Sequence, residues 1–209
     1  MLSSCNFVHT TVKAFGYSNA GAILSDWKPA KDDAVVCDVG GGLGTLMTHV
    51  LQHYPDTSGI VFDQKSVTKR AEAYLNEQGV SNRSKAVGGN FFKSLPKQLG
   101  ECDVFMMKFI LHDWPDKECI EILKNIKKVA KEGSSIVIFE HITDLPNAAD
   151  SMELSRLMMS INMIAANKFG AKERSLAEYN ELFKQAGFDT SKGKHIPTRD
   201  IMSIYEVPV

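Results

Sequence analysis

The chain has 209 residues, with 24 Lys and Arg against 25 Asp and Glu, a formal net charge of −1, and 44 % hydrophobic residues. That balance is ordinary for a soluble globular fold and argues against a nucleic-acid surface, which needs clustered basic excess to meet phosphates. No apolar run approaches a membrane span of roughly 20 residues, and Met1 to Phe7 lacks the basic start and apolar stretch of a signal peptide. The expectation is a cytoplasmic protein with no membrane partner.

The length fits one domain with a sizeable core. Cys5, Cys37, Cys102 and Cys119 show neither CxxC nor Cys/His ligand spacing. They read as small core hydrophobes in a reducing compartment, without disulfides or zinc.

Residues 7–27 alternate helical stretches with Gly16 and Gly21, so 1–30 reads as a helical lead-in and 31–209 as the main domain. The β-branched run Val35 to Val39 breaks at once into Gly40-Gly41-Gly42-Leu43-Gly44. Thr45 to Leu51 then carries apolar residues at helical spacing. Strand, tight turn and helix in that order let a ligand approach bare backbone and the unpaired N–H groups of a helix start. The glycines follow GxGxG spacing; the dinucleotide fingerprint GxGxxG would need glycine at Thr45 or Met47. A nicotinamide-dependent oxidoreductase is therefore disfavoured. Gly59 to Asp63 is a second strand ending in an acid about 20 residues past the glycines, where a ribose-binding carboxylate belongs.

Ser66 to Gln78 reads as a helix closed by Gly79, Lys85 to Val87 as a third strand, and Gly88 to Phe92 as a loop. Asp103 to Leu111 is apolar throughout, as a strand covered on both faces would be. Asp116 is expected to cap a helix with Ile120, Leu123, Ile126 and Ala130 at helical spacing, ending at Gly133. Ser134 to Glu140 is a fifth strand, 148–166 a Met-rich helix, and Ser175 to Ala186 a helix with a capping box from Ser175 to Glu178. The tail, 189–207, alternates enough for two closing strands. Strands alternating with helices imply a parallel α/β sheet whose ligands bind beyond the carboxyl ends of the strands. Asp38 to Gly44, Asp63, Asn90, Lys108 to Trp114 and Glu140 all converge there.

Asp38-Val39-Gly40-Gly41-Gly42-Leu43-Gly44, Val61-Phe62-Asp63, Leu111-His112-Asp113-Trp114, Gly170 to Ser175 and Ala186-Gly187-Phe188 resemble the class I S-adenosylmethionine-dependent methyltransferases. More narrowly they resemble the O-methyltransferases of the plant caffeate and animal hydroxyindole type, from about residue 7 to the end. The resemblance implies a Rossmann-like methyltransferase fold: a seven-stranded, mostly parallel sheet with an antiparallel last strand and helices on both faces. It also implies S-adenosyl-L-methionine as cofactor, S-adenosyl-L-homocysteine as product, no metal, and a small-molecule acceptor with a phenolic hydroxyl.

Carried over residue by residue, Asp38, Gly40 and Gly42 would line the cofactor pocket and Asp63 would take the ribose hydroxyls. Asn90 and Phe91 would sit by the adenine, with Asn90 where the family usually has Asp. Lys108 and Trp114 would frame the cofactor, Trp114 packing on the adenine. His112 resembles the general base, and Glu140 and Glu173 the two acids that flank it. Met159, Met163 and Asp113 would face the acceptor, although on spacing alone these methionines read as core residues more readily than as pocket. A phenol with pKa near 10 is a poor nucleophile at neutral pH, and an imidazole of pKa about 6.5 can take its proton.

The family's N-terminal dimerisation domain is expected to be absent here, the chain being a natural short form or a piece of a longer one, and a homodimer is left open. A non-catalytic cofactor-binding module, or transfer to sulfur or nitrogen, remains an alternative.

Overall fold

Val36, Val61, Val104, Met106, Val137 and Phe139 pack on one side of a single sheet, and Cys37, Ile60, Phe105, Met107, Ile136 and Ile138 on the other. Both sets are buried, so each strand is apolar at consecutive positions and needs helices on both faces. The structure is a computed structural model and describes residues 24–144, 161, 170–196, 198 and 202–209.

In chain order the elements are β1 (Val35–Val39), α1 (Thr45–His53), β2 (Ser58–Asp63), α2 (Lys65–Glu77), β3 (Ser84–Gly88), β4 (Val104–Lys108), α3 (Asp116–Val129), β5 (Ser135–Glu140), α4 (Leu176–Gln185), β6 (Lys194–Ile196) and β7 (Ser203–Pro208). They form a seven-stranded sheet of order β3-β2-β1-β4-β5-β7-β6. β1 to β5 pair in parallel, whereas β7 runs antiparallel between β5 and β6. This is the expected mostly parallel sheet with an antiparallel last strand. Leu46, Met47, Val50 and Leu51 of α1 and Ala71 and Leu75 of α2 cover one face. Ile122, Leu123 and Ile126 of α3 and Tyr179, Leu182 and Phe183 of α4 cover the other.

Two local expectations are corrected. The fourth strand stops at Lys108 rather than running to Leu111, because Phe109 turns to φ 53, a left-handed conformation rare without glycine. Leu111 to Asp113 then form a short 3-10 turn, so His112 rides on that turn and not on the strand. Asp116 does not cap α3: the N-cap is Pro115, with no side-chain cap hydrogen bond. The Asp116 carboxylate accepts from Arg174 instead. The capping box of α4 is present as expected, Ser175 accepting from Glu178 N and Glu178 from Ser175 N.

Most of the lead-in, and the Met-rich helix with Met159 and Met163, lie outside the described residues. Among the described residues no helix is long and apolar enough to cross a membrane. Cys37, Cys102 and Cys119 are buried free thiols.

Candidate active site

Parallel strands deliver their C-terminal ends to one rim, and the turn after β1 is bound down there by its neighbour. Gly40 N donates to Phe62 O at 2.8 Å, and Gly42 N to the Asp63 carboxylate (Oδ2) at 2.8 Å. Asp63 Oδ1 accepts from Gln64 N at 2.6 Å, so this carboxylate is fixed before any ligand arrives. Gly40 and Gly42 sit at φ 78 and 58, and a Cβ at Gly40 would run into the Ile110 side chain.

Above the turn lies a cleft of about 580 Å³ lined by Gly40, Asp63, Asn90, Phe91, Asp113 and Trp114 among others. One wall is aromatic: Phe92 meets Trp114 edge-on at 4.7 Å and Phe91 meets Phe92 at 4.8 Å. Asn90 spends its Oδ1 on the N–H of Phe92 at 2.9 Å and so shapes the loop that carries this wall. Asp38 is buried beneath the glycines, and its Oδ2 has no hydrogen-bond partner among the described residues. Burial pushes its carboxyl up to about 7; the Lys108 ammonium pulls it back and Asp63 adds to the rise.

Beside the cleft is a buried acid–imidazole cluster. His112 Nδ1 lies 3.1 Å from Glu173 Oε1 and 3.8 Å from Glu140 Oε2, and its Nε2 is 3.6 Å from Asp113 Oδ1. The Glu173 and Glu140 side chains are 2 % and 0 % exposed, which leaves no bulk water to screen them. Glu140 Oε1 accepts from the backbone N–H groups of Ile110 and Leu111 at 3.0 and 2.9 Å, holding the turn down on β5. The Phe109 ring stacks on His112, with centroids 5.2 Å apart and planes at 20°, and Lys108 Nζ lies 4.8 Å from that ring's centroid.

The electrostatics of the cluster correct one expectation. Burial disfavours the imidazolium, but the Glu140 carboxylate, the Glu173 hydrogen bond and charge, and the Asp113 charge outweigh it, and His112 is pushed up to about 9. It does not keep the ordinary imidazole value. Burial likewise raises Glu140 to about 7, against the pull of His112 and the two backbone donors. His112, Glu140 and Glu173 also offer donor atoms within 4.8 Å of one another, of a kind divalent cations accept.

Of the residues singled out in the sequence, Gly40, Asp63, Asn90, Phe91 and Trp114 share the cleft, while His112, Glu140 and Glu173 form the cluster behind it. Asp113 also lines this cleft, with its Oδ1 3.6 Å from His112 Nε2. Asp38, Gly42 and Lys108 are not among the residues that line it. Sequence reading missed Gln64, Lys65, Ser66 and Phe92, all of which line it, as does Ile110 from the stretch Lys108 to Trp114. The first three follow Asp63 directly into α2, and Phe92 continues the aromatic pair, so adjacency was the available signal. His141 was also missed; its Nδ1 lies 3.9 Å from Glu173 Oε2.

A mostly parallel seven-stranded sheet with a glycine turn after β1 and an acid after β2 is the Rossmann-like methyltransferase fold. The chain belongs to the O-methyltransferase family: a family model described as an O-methyltransferase domain matches residues 20–189. It is 33 % identical over 181 residues to the phenazine O-methyltransferase PhzM of Lysobacter antibioticus, covering 87 % of this chain and 49 % of that protein. It superposes on the crystal structure of LaPhzM with a TM-score of 0.82 at 28 % identity, over 98 % of this chain and 58 % of that one. NcsB1, an O-methyltransferase from neocarzinostatin biosynthesis solved with S-adenosyl-L-homocysteine and 1,4-dihydroxy-2-naphthoic acid, matches with a TM-score of 0.74 at 30 % identity, over 90 % and 53 %. The chain spans about half the length of the curated relatives it matches.

Proposed function

We propose that residues 31–209 form the catalytic unit of an S-adenosylmethionine-dependent O-methyltransferase acting on a phenolic hydroxyl of a small aromatic molecule, with His112 as the base. The observation that carries this reading is the 3.1 Å contact of His112 Nδ1 with a buried Glu173, at the edge of a cleft floored by the glycine turn. A phenolic acceptor is favoured by the relatives, one an enzyme of phenazines and one crystallised with a dihydroxynaphthoic acid.

The residues present fit the cofactor. The fixed Asp63 carboxylate has lone pairs left for two ribose hydroxyls, and the Phe91, Phe92 and Trp114 wall suits a purine face. The orphaned Asp38 oxygen beneath the turn offers an anionic partner to an ammonium group. Bound there, S-adenosylmethionine would supply an electrophilic methyl group on a sulfonium.

The chain's own residues then prepare the nucleophile. Glu173 fixes the tautomer and plane of His112 from the Nδ1 side, which leaves Nε2 to accept the acceptor's proton. Glu140 holds the turn through two backbone donors, and Phe109 limits rotation of the ring. An imidazole at about 9 lies within roughly one pH unit of a phenol near 10, so the proton transfer is uphill by only about 1.4 kcal/mol. The carboxylates stabilise the imidazolium as the oxygen gains charge.

The test is a methyl-transfer screen over catechols, hydroxynaphthoates, indoles and thiols, run with His112→Ala beside the parent, and a calorimetric titration of both with S-adenosylhomocysteine. The expected result is transfer to a phenol by the parent, none by the variant, and similar product affinity in the two. Undiminished turnover by the variant would remove His112 from the mechanism; binding without transfer to any acceptor would make the chain a cofactor-binding module.

A further inference from the structure

We propose that Arg174 is the positioning residue of the site: its guanidinium clamps both ends of the turn that carries His112, fixing the base, its acid partner and the cofactor wall as one unit. The inference rests on the reading of His112 as the base.

Arg174 is fully buried, with 0 % of its side chain exposed. Its Nη1 donates to Leu111 O at 2.9 Å and its Nη2 to Trp114 O at 2.7 Å. Those carbonyls stand immediately before and after His112-Asp113. Nε and Nη2 also donate to Asp116 Oδ1 at 3.0 and 2.7 Å, which orients the fork. A three-residue 3-10 turn has poor hydrogen-bond geometry of its own and holds its shape only when braced. The Cys119 thiol donates to the same two carbonyls at 3.1 and 3.3 Å, but a thiol is a weak donor.

The backbone around Arg174 completes the brace. Lys172 N donates to His112 O at 3.1 Å, and Thr143 N donates to Arg174 O at 3.0 Å. Ile142 and Arg174 form a parallel bridge that extends β5. Glu173 is therefore held between one neighbour tied to the turn and another tied to the sheet. While Arg174 grips Leu111 and Trp114, Glu173 cannot drift from His112, and Trp114 cannot leave the aromatic wall.

A stability role alone accounts poorly for the residue. Burying a guanidinium against one half-exposed carboxylate gains little over an apolar side chain of the same volume. What it adds is direction, because a planar fork with five donors reaches carbonyls on both sides of the base and an ammonium cannot.

The test uses the full protein with Arg174→Lys and Asp116→Ala. Arg174→Lys keeps the charge and loses the fork. It is expected to lower kcat by about 100-fold, the scale of a small misplacement at a reacting centre. The KM for the acceptor should stay within about twofold and S-adenosylhomocysteine affinity should fall by about threefold to tenfold, since acceptor contacts are untouched while Trp114 is released. The His112 titration, followed by NMR, should drop by about one pH unit toward the ordinary imidazole value as Glu173 loosens. The other groups facing His112 are Glu140 from β5, Asp113 on the turn and the Lys108–Phe109 pair, with His141 against Glu173; none is altered.

A folded Arg174→Lys protein with parental kcat and an unmoved His112 titration overturns the proposal. If that variant does not fold, Asp116→Ala, which removes the oxygen that orients the fork, decides: a fall in kcat and in the His112 titration in the folded protein supports the clamp, and parental values of both overturn it. Should the parent transfer no methyl group at all, the NMR titration and the product affinity still answer for Arg174, while the proposed function fails separately.

Discussion

Replacing Glu173 by glutamine keeps the shape of the side chain and removes its charge, which makes it a direct probe of the acid–imidazole pair. His112 is raised from 6.5 to about 9, a stabilisation of the imidazolium by roughly 3 kcal/mol at about 1.4 kcal/mol per pH unit. After Glu140, Glu173 is the next group that raises it, through the 3.1 Å hydrogen bond and then through its charge. A hydrogen bond to a charged partner contributes about 1.5–3 kcal/mol, so glutamine should forfeit about half of the rise or more. The same amount taken from transition-state stabilisation lowers kcat by about 10- to 150-fold. With His112 as the proposed base, neutral imidazole is the form that accepts the proton, so parental activity should climb with pH toward 9. In Glu173→Gln this limb moves to lower pH and ends on a lower plateau. A pH–rate profile at saturating cofactor, with NMR titration of His112, measures both. A limb still near 9 with an undiminished plateau would show that Glu173 neither tunes nor orients the base.

Gly40→Ala places a Cβ against Ile110 in a left-handed backbone, and should weaken product binding by about tenfold or more in calorimetry; unchanged affinity would mean the turn does not approach the ligand. Asp63→Asn loses the anionic acceptor of Gly42 N–H and should weaken the same affinity by about 10- to 100-fold while leaving the His112 titration in place. Stability should decline as pH rises from 5 to 9. His112, Glu140 and Asp38 all have folded values above their unfolded ones, so the native state holds more protons. The imidazolium contribution is complete below 6.5 and lost as pH passes about 9, and the burial penalty on the two acids grows from their unfolded values of about 4 and is complete as pH passes about 7. Urea midpoints at pH 5.5, 7.5 and 9 test this, and a midpoint that rises with pH refutes it. Finally, the 3.1 Å contact of His112 with Glu173 has the length of an ordinary N–H···O hydrogen bond, and on that assignment a chelator should leave turnover unchanged; a loss restored by added zinc or magnesium would assign the cluster to a cation.

Local chemistry made much of the sheet readable in advance. Val35 to Val39 running into glycines, and Phe62-Asp63 ending the next strand, declare themselves because one or two side chains set the backbone there. The end of β4 was not readable. Phe109 is a good strand former, and only the pull of Glu140 on the N–H groups of Ile110 and Leu111 explains why the chain leaves the sheet at Lys108. Asp116 misled for a related reason. It has every property of a helix cap, but the guanidinium of a residue 58 positions away claims its oxygen. The raised value of His112 likewise belongs mainly to carboxylates brought from β5 and from the segment before α4, and only the smaller push of Asp113 lies in the sequence beside it.

Phe109 carries a further consequence. Holding a bulky side chain at φ 53 costs about 1–3 kcal/mol, energy that glycine or asparagine at this position would recover. The same ring packs against the core and stacks on the imidazole, so glycine or asparagine here would relieve the strain only by giving up contacts of similar worth. The strained backbone and the stacked ring are thus one feature: the fold keeps a bulky residue in a left-handed turn because its side chain walls the imidazole.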